Sequence, residues 1–289
     1  MKKIAILGCE NSHASAFIKC IKEDASFSDV EVVGVYSDEK EAMEKLNEKY
    51  AVDMMDDFAD AVGKIDGLVI TARHGDNHYR YAKPYIQSGI PMFIDKPITV
   101  KEEEALEFMR ELKKNSVPVC GGSSLKQDEF VKKLKLQREA QEGGRTVSGL
   151  VRAPLHEGSE YGGFYFYAQH LVEMICEIFG RYPKSVTAKR NFKTVHVIFS
   201  YGEFDCVGLY CEENNVYYAS RVSEESTVGF DIPFTKEWYF KEFGEFYRLL
   251  CGEKQGVSYE DFISPVFIMN AIERSLASGK EEEILKYEV

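Results

Sequence analysis

The sequence contains no long apolar run and no Cys-x-x-Cys pair. No stretch approaches the roughly 18 consecutive apolar residues of a transmembrane helix, so no membrane partner is predicted. The apolar run Ile4–Leu7 is also too short for a signal peptide. The seven cysteines form an odd set, which is typical of free thiols in a reducing compartment rather than of a disulfide framework. We therefore expect a cytoplasmic protein.

Basic residues are also in deficit. Lys and Arg number 36 against 48 Asp and Glu, which gives a net charge of −12. A field of that sign repels phosphate backbones, so no nucleic-acid partner is expected. The sequence contains no P-loop and no nucleophile elbow, which argues against kinases and hydrolases. A length of 289 residues, 44% of them hydrophobic, predicts a globular chain of about two domains.

The first part of the chain alternates strand and helix patterns. Short apolar runs predict strands at Ile4–Leu7, Val30–Tyr36, Ile65–Thr71, Ile90–Ile94 and Val117–Cys120. Helical patterns lie between them, after Gly8 and at Lys40–Tyr50, Tyr79–Ser88 and Lys101–Asn115. Strands that strictly alternate with helices pair in parallel through right-handed crossovers. Residues 1–121 are therefore predicted to form a doubly wound α/β domain with a parallel sheet.

The pattern changes after Gly121-Gly122. Helices are predicted at Phe130–Glu142, Gln169–Phe179, Lys236–Cys251 and Tyr259–Ser278. Strands are predicted at Gly149–Ala153, Val186–Lys189, Thr194–Tyr201, Phe204–Tyr210 and Val216–Val222. Turn residues at 201–203 and 213–215 predict hairpins. Residues 122–289 are therefore expected to form an α+β domain with an open, mostly antiparallel sheet.

A candidate nucleotide-binding loop follows the first strand. A dinucleotide fold favours Gly-x-Gly-x-x-Gly there, so that the backbone can approach the pyrophosphate at a helix N-terminus. The loop here is Gly8-Cys9-Glu10-Asn11-Ser12-His13, which keeps only the first glycine and brings the negative charge of Glu10 toward a pyrophosphate. Gly8, Asn11, Ser12 and His13 are candidate cofactor contacts, although Asn11 and Ser12 could equally cap the helix.

The end of the second strand carries Ser37-Asp38. An acidic residue at this place holds the adenosine ribose of NAD in dinucleotide folds, and an arginine just after it accommodates the 2′-phosphate of NADP. Ser37 stands where the acid is first expected, and no arginine follows directly. Ser37 and Asp38 are therefore candidate cofactor contacts, and the choice between NAD and NADP stays open.

The segment from Thr71 to Thr99 carries the strongest signal. Asp95-Lys96-Pro97 closes a predicted strand, and the carboxyl ends of parallel strands line the ligand crevice of an open α/β sheet. Pro97 biases Lys96 toward an extended conformation. The alternative for an arbitrary lysine is a surface turn. We take Thr71, His78, Asp95, Lys96 and Pro97 as candidate cofactor contacts.

At Asp95-Lys96-Pro97 the sequence resembles the Gfo/Idh/MocA oxidoreductases, whose signature there is Glu-Lys-Pro after a helix ending in Ala-Gly. The preceding helix here ends at Ser88-Gly89, and Asp95 replaces the family's glutamate. The resemblance continues through Val117–Gly121, Tyr161-Gly162-Gly163 and the closing segment 243–278, so it covers the whole chain.

The resemblance implies a Rossmann domain joined to an open-sheet domain, with NAD or NADP as cofactor and a sugar or cyclitol as substrate. It assigns catalysis to Lys96 and His170, and Glu173 matches a family acid that could orient the imidazole. In family members an acidic residue often lies four positions before this histidine, but Phe166 stands at that position here. Together with Glu10 and His13, Phe166 favours an alternative: a non-catalytic nucleotide- or sugar-binding relative that acts as a sensor.

Polar and aromatic residues precede His170. Arg152, Tyr161 and Tyr167, with His170 and Glu173, are candidate substrate contacts, and the alternative for the tyrosines is a core or interface role. His170, Glu173 and Glu177 have spacings compatible with a metal, but such rows are common on ordinary helices and no metal site is predicted. Lys96 and His170 are expected to meet at one substrate hydroxyl in a crevice between the domains.

A homo-oligomer, either a dimer or a tetramer, is expected from the second sheet. Val195, Val197 and Phe199 alternate with Ile198, so one face can meet the helices while the other keeps apolar side chains. Aromatic neighbours for the second face are expected at Tyr210, Tyr217 and Tyr218. An exposed apolar sheet face of this kind usually meets a partner.

Overall fold

A computed structural model describes all 289 residues, and the chain divides into two compact units. The first unit comprises Met1–Gly122, Lys236–Phe262 and Val289, and the second comprises Ser123–Thr235 and Ile263–Glu288. The first segment ends one residue after the predicted boundary at 121. No helix combines the length and the apolar character that crossing a membrane requires.

The first unit is built on a five-stranded parallel sheet in the order β2-β1-β3-β4-β5. Its strands are β1 (Lys2–Leu7), β2 (Val30–Tyr36), β3 (Gly67–Ile70), β4 (Met92–Asp95) and β5 (Val119–Gly122). The helices between them are α1 (Ser12–Glu23), α2 (Lys40–Tyr50), α3 (Asp76–Ala82) and α4 (Glu102–Lys114). The predicted doubly wound sheet is confirmed, and β3 and β4 are buried along their whole length, as short apolar strands between two helical layers should be.

The helix predicted at Tyr79–Ser88 differs from the observed structure. The α-helix α3 ends at Ala82, and residues Lys83–Ser88 continue as a 3₁₀ helix that ends at Gly89 with φ of 69°. Pro84 lies at the junction. Proline lacks a backbone N–H and cannot donate an intrahelical hydrogen bond, which accounts for the break.

Helix α7 (Glu237–Leu250) packs in the first unit, although its sequence lies in the predicted second domain. Phe243 and Phe246 are fully buried in the same hydrophobic cluster as Phe17 and Phe27. The Phe243 ring centroid lies 5.4 Å from that of Phe17 and 4.8 Å from that of Phe27. The apolar face of α7 therefore completes the core beside α1, which draws residues 236–262 back to the first unit.

The second unit carries a seven-stranded sheet in the order β11-β10-β6-β9-β8-β7-β12. Its strands are β6 (Thr146–Leu155), β7 (Ser185–Asn191), β8 (Thr194–Ser200), β9 (Asp205–Glu212), β10 (Tyr217–Ser223), β11 (Thr227–Ile232) and β12 (Glu281–Glu283). The remaining helices of the chain are α5 (Glu129–Glu139), α6 (Tyr165–Phe179) and α8 (Tyr259–Ser278). Every strand pair is antiparallel except β6 with β9, so the predicted mostly antiparallel sheet is confirmed.

The connections within this sheet agree only in part with the prediction. The turn at 201–203 joins β8 to β9 as a hairpin, but the turn at 213–215 does not, because β6 lies between β9 and β10. Val151, Ala153 and Leu155 of β6 are fully buried, and such an apolar strand is best placed in the middle of a sheet. Strands β11 and β12 were not predicted. Strand β12 consists of three glutamates and carries no apolar residue, whereas β11 alternates Val228, Phe230 and Ile232 with Thr, Gly and Asp, a period-two pattern that the prediction missed.

The two faces of the second sheet differ in exposure. Val195, Val197 and Phe199 are fully buried, as predicted, whereas Ile198 on the opposite face is 45% exposed and pairs with Val207, which pairs with Leu150. Tyr210 corrects the prediction. It is fully buried, and its hydroxyl donates to the carbonyl of Ala168 in α6, so it lies on the inner face.

Alternation along β10 separates its two tyrosines. Tyr217 shares a face with the buried Ala219, and its ring centroid lies 6.1 Å from that of His170, so it also belongs to the inner face. Of the three tyrosines expected on the outer face, only Tyr218 lies there. The outer face is therefore aliphatic at its centre rather than aromatic.

The position of α7 yields a test of the first unit's core. Phe243→Ala should lower the free energy of unfolding by about 3–5 kcal/mol, because it leaves a cavity among buried aromatic rings. Phe240→Ala on the same helix is the matched control, since that ring is 39% exposed and should cost much less. Urea unfolding followed by circular dichroism measures both. Equal losses for the two variants would contradict this packing.

Candidate functional site

The loop after β1 requires its single glycine for packing. Gly8 has φ of 75°, and a Cβ there would lie 2.3 Å from the backbone nitrogen of Ala72. Asn11 then caps α1, since its side chain accepts a hydrogen bond from the backbone N–H of His13. Asn11 and His13 are buried, whereas Ser12 between them is exposed at the first turn of the helix. Asn11 therefore caps the helix, while Ser12 at its first turn remains exposed.

Asp95, at the end of β4, connects this loop to Lys96. Its carboxylate is fully buried, with one oxygen accepting from the backbone N–H of Lys96 at 2.7 Å. The other oxygen accepts from the Asn11 side-chain amide at 2.9 Å and lies 3.2 Å from Nδ1 of His13. One carboxylate thus fixes both the first turn of α1 and the backbone of the candidate catalytic lysine.

His13 stands at the place of the third glycine of the dinucleotide pattern and lies between two carboxylates. Its Nε2 is 3.3 Å from an Oε2 of Glu242, which comes from α7 and is 1% exposed. Burial opposes a charge on His13, but Asp95 and Glu242 outweigh it and raise the pKa of His13 above its ordinary value. The carboxylates face opposite edges of the ring, so the trio forms an ion network and cannot converge on one metal ion.

Lys96 is 5% exposed, so it is not the surface lysine that the alternative supposed. Burial lowers the pKa of Lys96, while the carboxylates of Asp95 and Glu242 act in the opposite direction. The peptide bond between Lys96 and Pro97 is cis. A lysine held in this way can serve as a cation and can also exchange a proton.

Thr71 and His78 hold the neighbouring loops together. The Thr71 hydroxyl donates to the Gly8 carbonyl at 3.0 Å, and Thr71 is fully buried. His78 is fully buried as well, with its ring nitrogens 2.9 Å from the carbonyl oxygen of Ala72 and 3.1 Å from that of Ile98. Burial lowers the pKa of His78. These contacts give both side chains a role in loop structure, and they present no exposed group to a cofactor.

The end of β2 is richer in charge than its sequence indicated. The exposed Asp38 accepts hydrogen bonds from the hydroxyls of Tyr36 at 2.9 Å and Tyr81 at 3.0 Å, and it pairs with the Arg80 guanidinium. Arg80 comes from α3, so an arginine does stand at Asp38 although none follows it in the sequence. The buried Ser37 donates its hydroxyl to Glu10.

His170 lies on α6 in the second unit, and Ser123 contacts it directly. The Ser123 hydroxyl is 2.7 Å from Nδ1 of His170, and both residues are buried. Glu173, expected to orient the imidazole, accepts instead from the backbone N–H of Ser123 at 3.3 Å and from the Gln169 amide at 3.0 Å. Glu173 therefore positions the segment that holds the ring, and Nε2 faces away from Ser123.

Aromatic side chains surround His170 within the second unit. The ring of Tyr167 lies 5.2 Å from His170 and 4.3 Å from His156. Phe166 packs 5.1 Å from Tyr167 and 5.5 Å from Tyr161, so the position that lacks the expected acid joins an aromatic cluster. The structure thus brings Tyr161 and Tyr167 into the neighbourhood of His170.

Arg152 lies elsewhere. It alternates along β6 with the buried Val151 and Ala153, so its side chain lies on the outer face of the second sheet, away from α6. Its guanidinium donates to the carbonyl of Val216 at 2.7 Å. The structure does not bring Arg152 together with His170, and the prediction that it binds the same substrate is not supported by its position.

Ser123, Glu242 and Arg80 were missed in the sequence. Ser123 is two residues past the predicted boundary at 121, and a serine after two glycines carries no distinctive signal. Glu242 lies on the buried aromatic face of α7, and a single glutamate on such a face was the signal that could have identified it. Arg80 lies 42 residues from its partner Asp38, so only the fold brings them together.

The His13 network generates a prediction about titration. The His13 ring should titrate above the ordinary histidine pKa of about 6.5, and Glu242→Gln should lower the midpoint because one carboxylate charge is lost. Because the folded-state pKa is raised, the stabilisation from His13 is fully present below the ordinary pKa and is lost as pH rises through the folded value. Histidine NMR measures the midpoints.

Glu237→Gln is the control for this experiment. Glu237 lies on the same helix with its side chain 76% exposed, so its loss should leave the His13 midpoint nearly unchanged. A His13 midpoint at or below the ordinary value in the wild-type protein would contradict the network.

Comparison with known proteins agrees with this geometry. Residues 2–123 match the Gfo/Idh/MocA family model, described as an oxidoreductase family with an NAD-binding Rossmann fold. None of the curated protein sequences that were compared matches the chain significantly. Solved structures with similar folds include three inositol dehydrogenases.

A myo-inositol dehydrogenase from Corynebacterium glutamicum has a TM-score of 0.84 at 15% identity, covering 99% of this chain and 100% of that one. A myo-inositol 2-dehydrogenase from Lactobacillus plantarum has a TM-score of 0.85 at 14% identity, covering 98% and 99%. A scyllo-inositol dehydrogenase from Lactobacillus casei, solved with NAD(H) and scyllo-inositol, has a TM-score of 0.84 at 13% identity, covering 98% and 99%. Residues 2–123 therefore match the Rossmann-fold model of the Gfo/Idh/MocA oxidoreductase family, and the whole chain has the fold of these dehydrogenases.

Proposed function

We propose that the protein is an NAD- or NADP-dependent oxidoreductase that acts on a hydroxyl-bearing carbon of a sugar or cyclitol. The observation that carries the proposal is the buried Lys96 at the carboxyl end of β4, fixed by Asp95 to the loop after β1. Open α/β sheets bind their ligands at this edge. The substrate class follows the inositol dehydrogenases that share the fold.

The residues at this edge fit a dinucleotide. Ser12 is exposed at the start of α1, where a helix N-terminus favours a phosphate, and carboxylates at the end of β2 suit ribose hydroxyls. Gly8, Asn11, Ser12, Ser37 and Asp38 would hold the group. When bound, the nicotinamide ring supplies the acceptor or donor of hydride.

Lys96 and His170 supply the remaining chemistry in this proposal. As the hydroxyl of the substrate is oxidised, a base must take its proton and a cation must stabilise the developing oxyanion. When Ser123 accepts from Nδ1–H, Nε2 of His170 carries the lone pair that receives the proton. Lys96, whose pKa burial lowers, stabilises the oxyanion.

The polar edges of the aromatic cluster suit a polyol. Tyr161, Tyr167 and His156 offer hydroxyl and imidazole groups near His170 within the second unit. The sensor alternative draws on Phe166, which packs between two tyrosines where relatives carry an acid. Turnover of a sugar or cyclitol decides between them, since a sensor binds without turnover.

We also propose a cytoplasmic homo-oligomer, a dimer or a tetramer. All seven cysteines are free, which suits a reducing compartment. Ile198, Val207 and Leu150 form an adjacent aliphatic row on the outer face of the second sheet, and a second copy of the chain would cover it.

Nucleotide binding is the first test. NADH or NADPH should bind with saturation, but more weakly than to a relative with a full glycine loop, because Glu10 and His13 replace two glycines. Fluorescence titration measures the affinity, and mass spectrometry of gently purified protein identifies a retained nucleotide. If neither nucleotide bound with saturation up to millimolar concentration, the oxidoreductase proposal would be wrong.

Catalysis tests the residue assignment. Once a substrate is found, Lys96→Met and His170→Ala should each lower kcat by about 10²–10⁴-fold while nucleotide affinity changes little. Because both groups act on one proton and its oxyanion, the double variant should be far less than multiplicatively slower. Lys101→Met, at an exposed position nearby in the sequence, is the control. Near-normal turnover of either single variant would refute the assignment.

Sedimentation tests the oligomer. The wild-type protein should sediment as a dimer or tetramer at micromolar concentration, and Ile198→Glu should weaken the assembly by placing a charge in the aliphatic row. Gln87→Glu, at an exposed position in the first unit, is the control because it adds the same charge away from the second sheet. A wild-type monomer would contradict the proposed assembly.

A further inference from the structure

The Glu10 side chain lies where the loops after three adjacent strands meet. One of its oxygens accepts from the Ser37 hydroxyl at 2.7 Å, at the end of β2. The other accepts from the backbone N–H of Arg73 at 2.9 Å, just after β3. Glu10 itself belongs to the loop after β1. Its carboxylate therefore bridges the carboxyl ends of β2, β1 and β3, and it stays partly exposed.

Glu10 supplies a carboxylate at Ser37, the position at the end of β2 where the acid of an NAD-binding sheet is first expected. NAD-binding sheets place an acid there to accept hydrogen bonds from the ribose hydroxyls, and Ser37 is uncharged. Glu10 brings a carboxylate to Ser37 from the neighbouring loop. A carboxylate has about four lone-pair sites, so accepting from Ser37 and Arg73 leaves it able to accept from further hydroxyls.

Arg80 is the group that would favour a 2′-phosphate, but Asp38 pairs with it. The same Asp38 carboxylate also accepts from the hydroxyls of Tyr36 and Tyr81. The guanidinium lies 4.8 Å from the centroid of the Tyr81 ring. Because Asp38 pairs with Arg80, Glu10 is the carboxylate that contacts Ser37 directly, and it adds a negative charge at the end of β2.

We propose that Glu10 selects NAD over NADP, as the carboxylate that accepts from free ribose hydroxyls and repels a 2′-phosphate. The inference rests on the proposed function, because it names the cofactor of that same site. It also gives Glu10 a role beyond weakening the pyrophosphate contact. Repulsion of the pyrophosphate acts equally on both nucleotides, whereas repulsion of a 2′-phosphate acts on NADP alone.

Fluorescence titration with NADH and with NADPH tests this selection without any substrate. The wild-type protein should bind NADH at least about tenfold more tightly than NADPH, and Glu10→Gln should reduce that ratio about tenfold, mainly through tighter NADPH binding. Glu41→Gln is the matched control, because it removes an equal charge from the exposed first turn of α2. Glu10→Ser is a second variant should Glu10→Gln fail to fold by circular dichroism.

The outcomes separate this inference from the proposed function. Binding of neither nucleotide would contradict the function. Saturable binding of both with equal affinity would leave the function intact and overturn the selection by Glu10. A change in Glu10→Gln that is equal for NADH and NADPH would also overturn it, since Glu10 would then act only on phosphates common to both.

Discussion

The carboxylate of Asp95 is the constraint on which the first unit's site depends. It is fully buried at the end of β4, and it accepts from the Lys96 backbone and from Asn11 while it faces His13. A buried carboxylate must find such partners, because desolvation without them is costly. The loop after β1, the first turn of α1 and the lysine are therefore positioned together, and none of them can shift without leaving Asp95 unsatisfied.

The histidine at the third glycine position is held by this charge network. Burial opposes a charge on the His13 ring, but the carboxylates of Asp95 and of Glu242 from α7 raise its pKa above the ordinary value. Breaking a buried ion pair by removing one partner costs about 3–5 kcal/mol, so His13 and Glu242 depend on each other.

Local patterns predicted the first sheet well, because each strand contains a short apolar run that is separated from the next by a helical pattern. Lys96 and His170 were singled out from the sequence, by position at a strand end and by family resemblance, and the structure buries both side chains. Contacts between distant segments could not be predicted from the sequence. Glu242 contacts His13 across 229 residues, and β6 lies between β9 and β10 in the second sheet. The position of Arg152 on the outer face of the second sheet could not be predicted, because a two-residue alternation fixes the face of a strand only once the partner helices are known.

The return of residues 236–262 to the first unit determines when that unit can finish folding. Phe243 and Phe246 complete its core, yet both leave the ribosome long after β5. The nascent amino-terminal sheet therefore exposes an apolar gap throughout synthesis of the second unit, although domains generally fold in order from the amino terminus. A fragment that stops at residue 122 would keep every strand of the parallel sheet and still lack part of its own core.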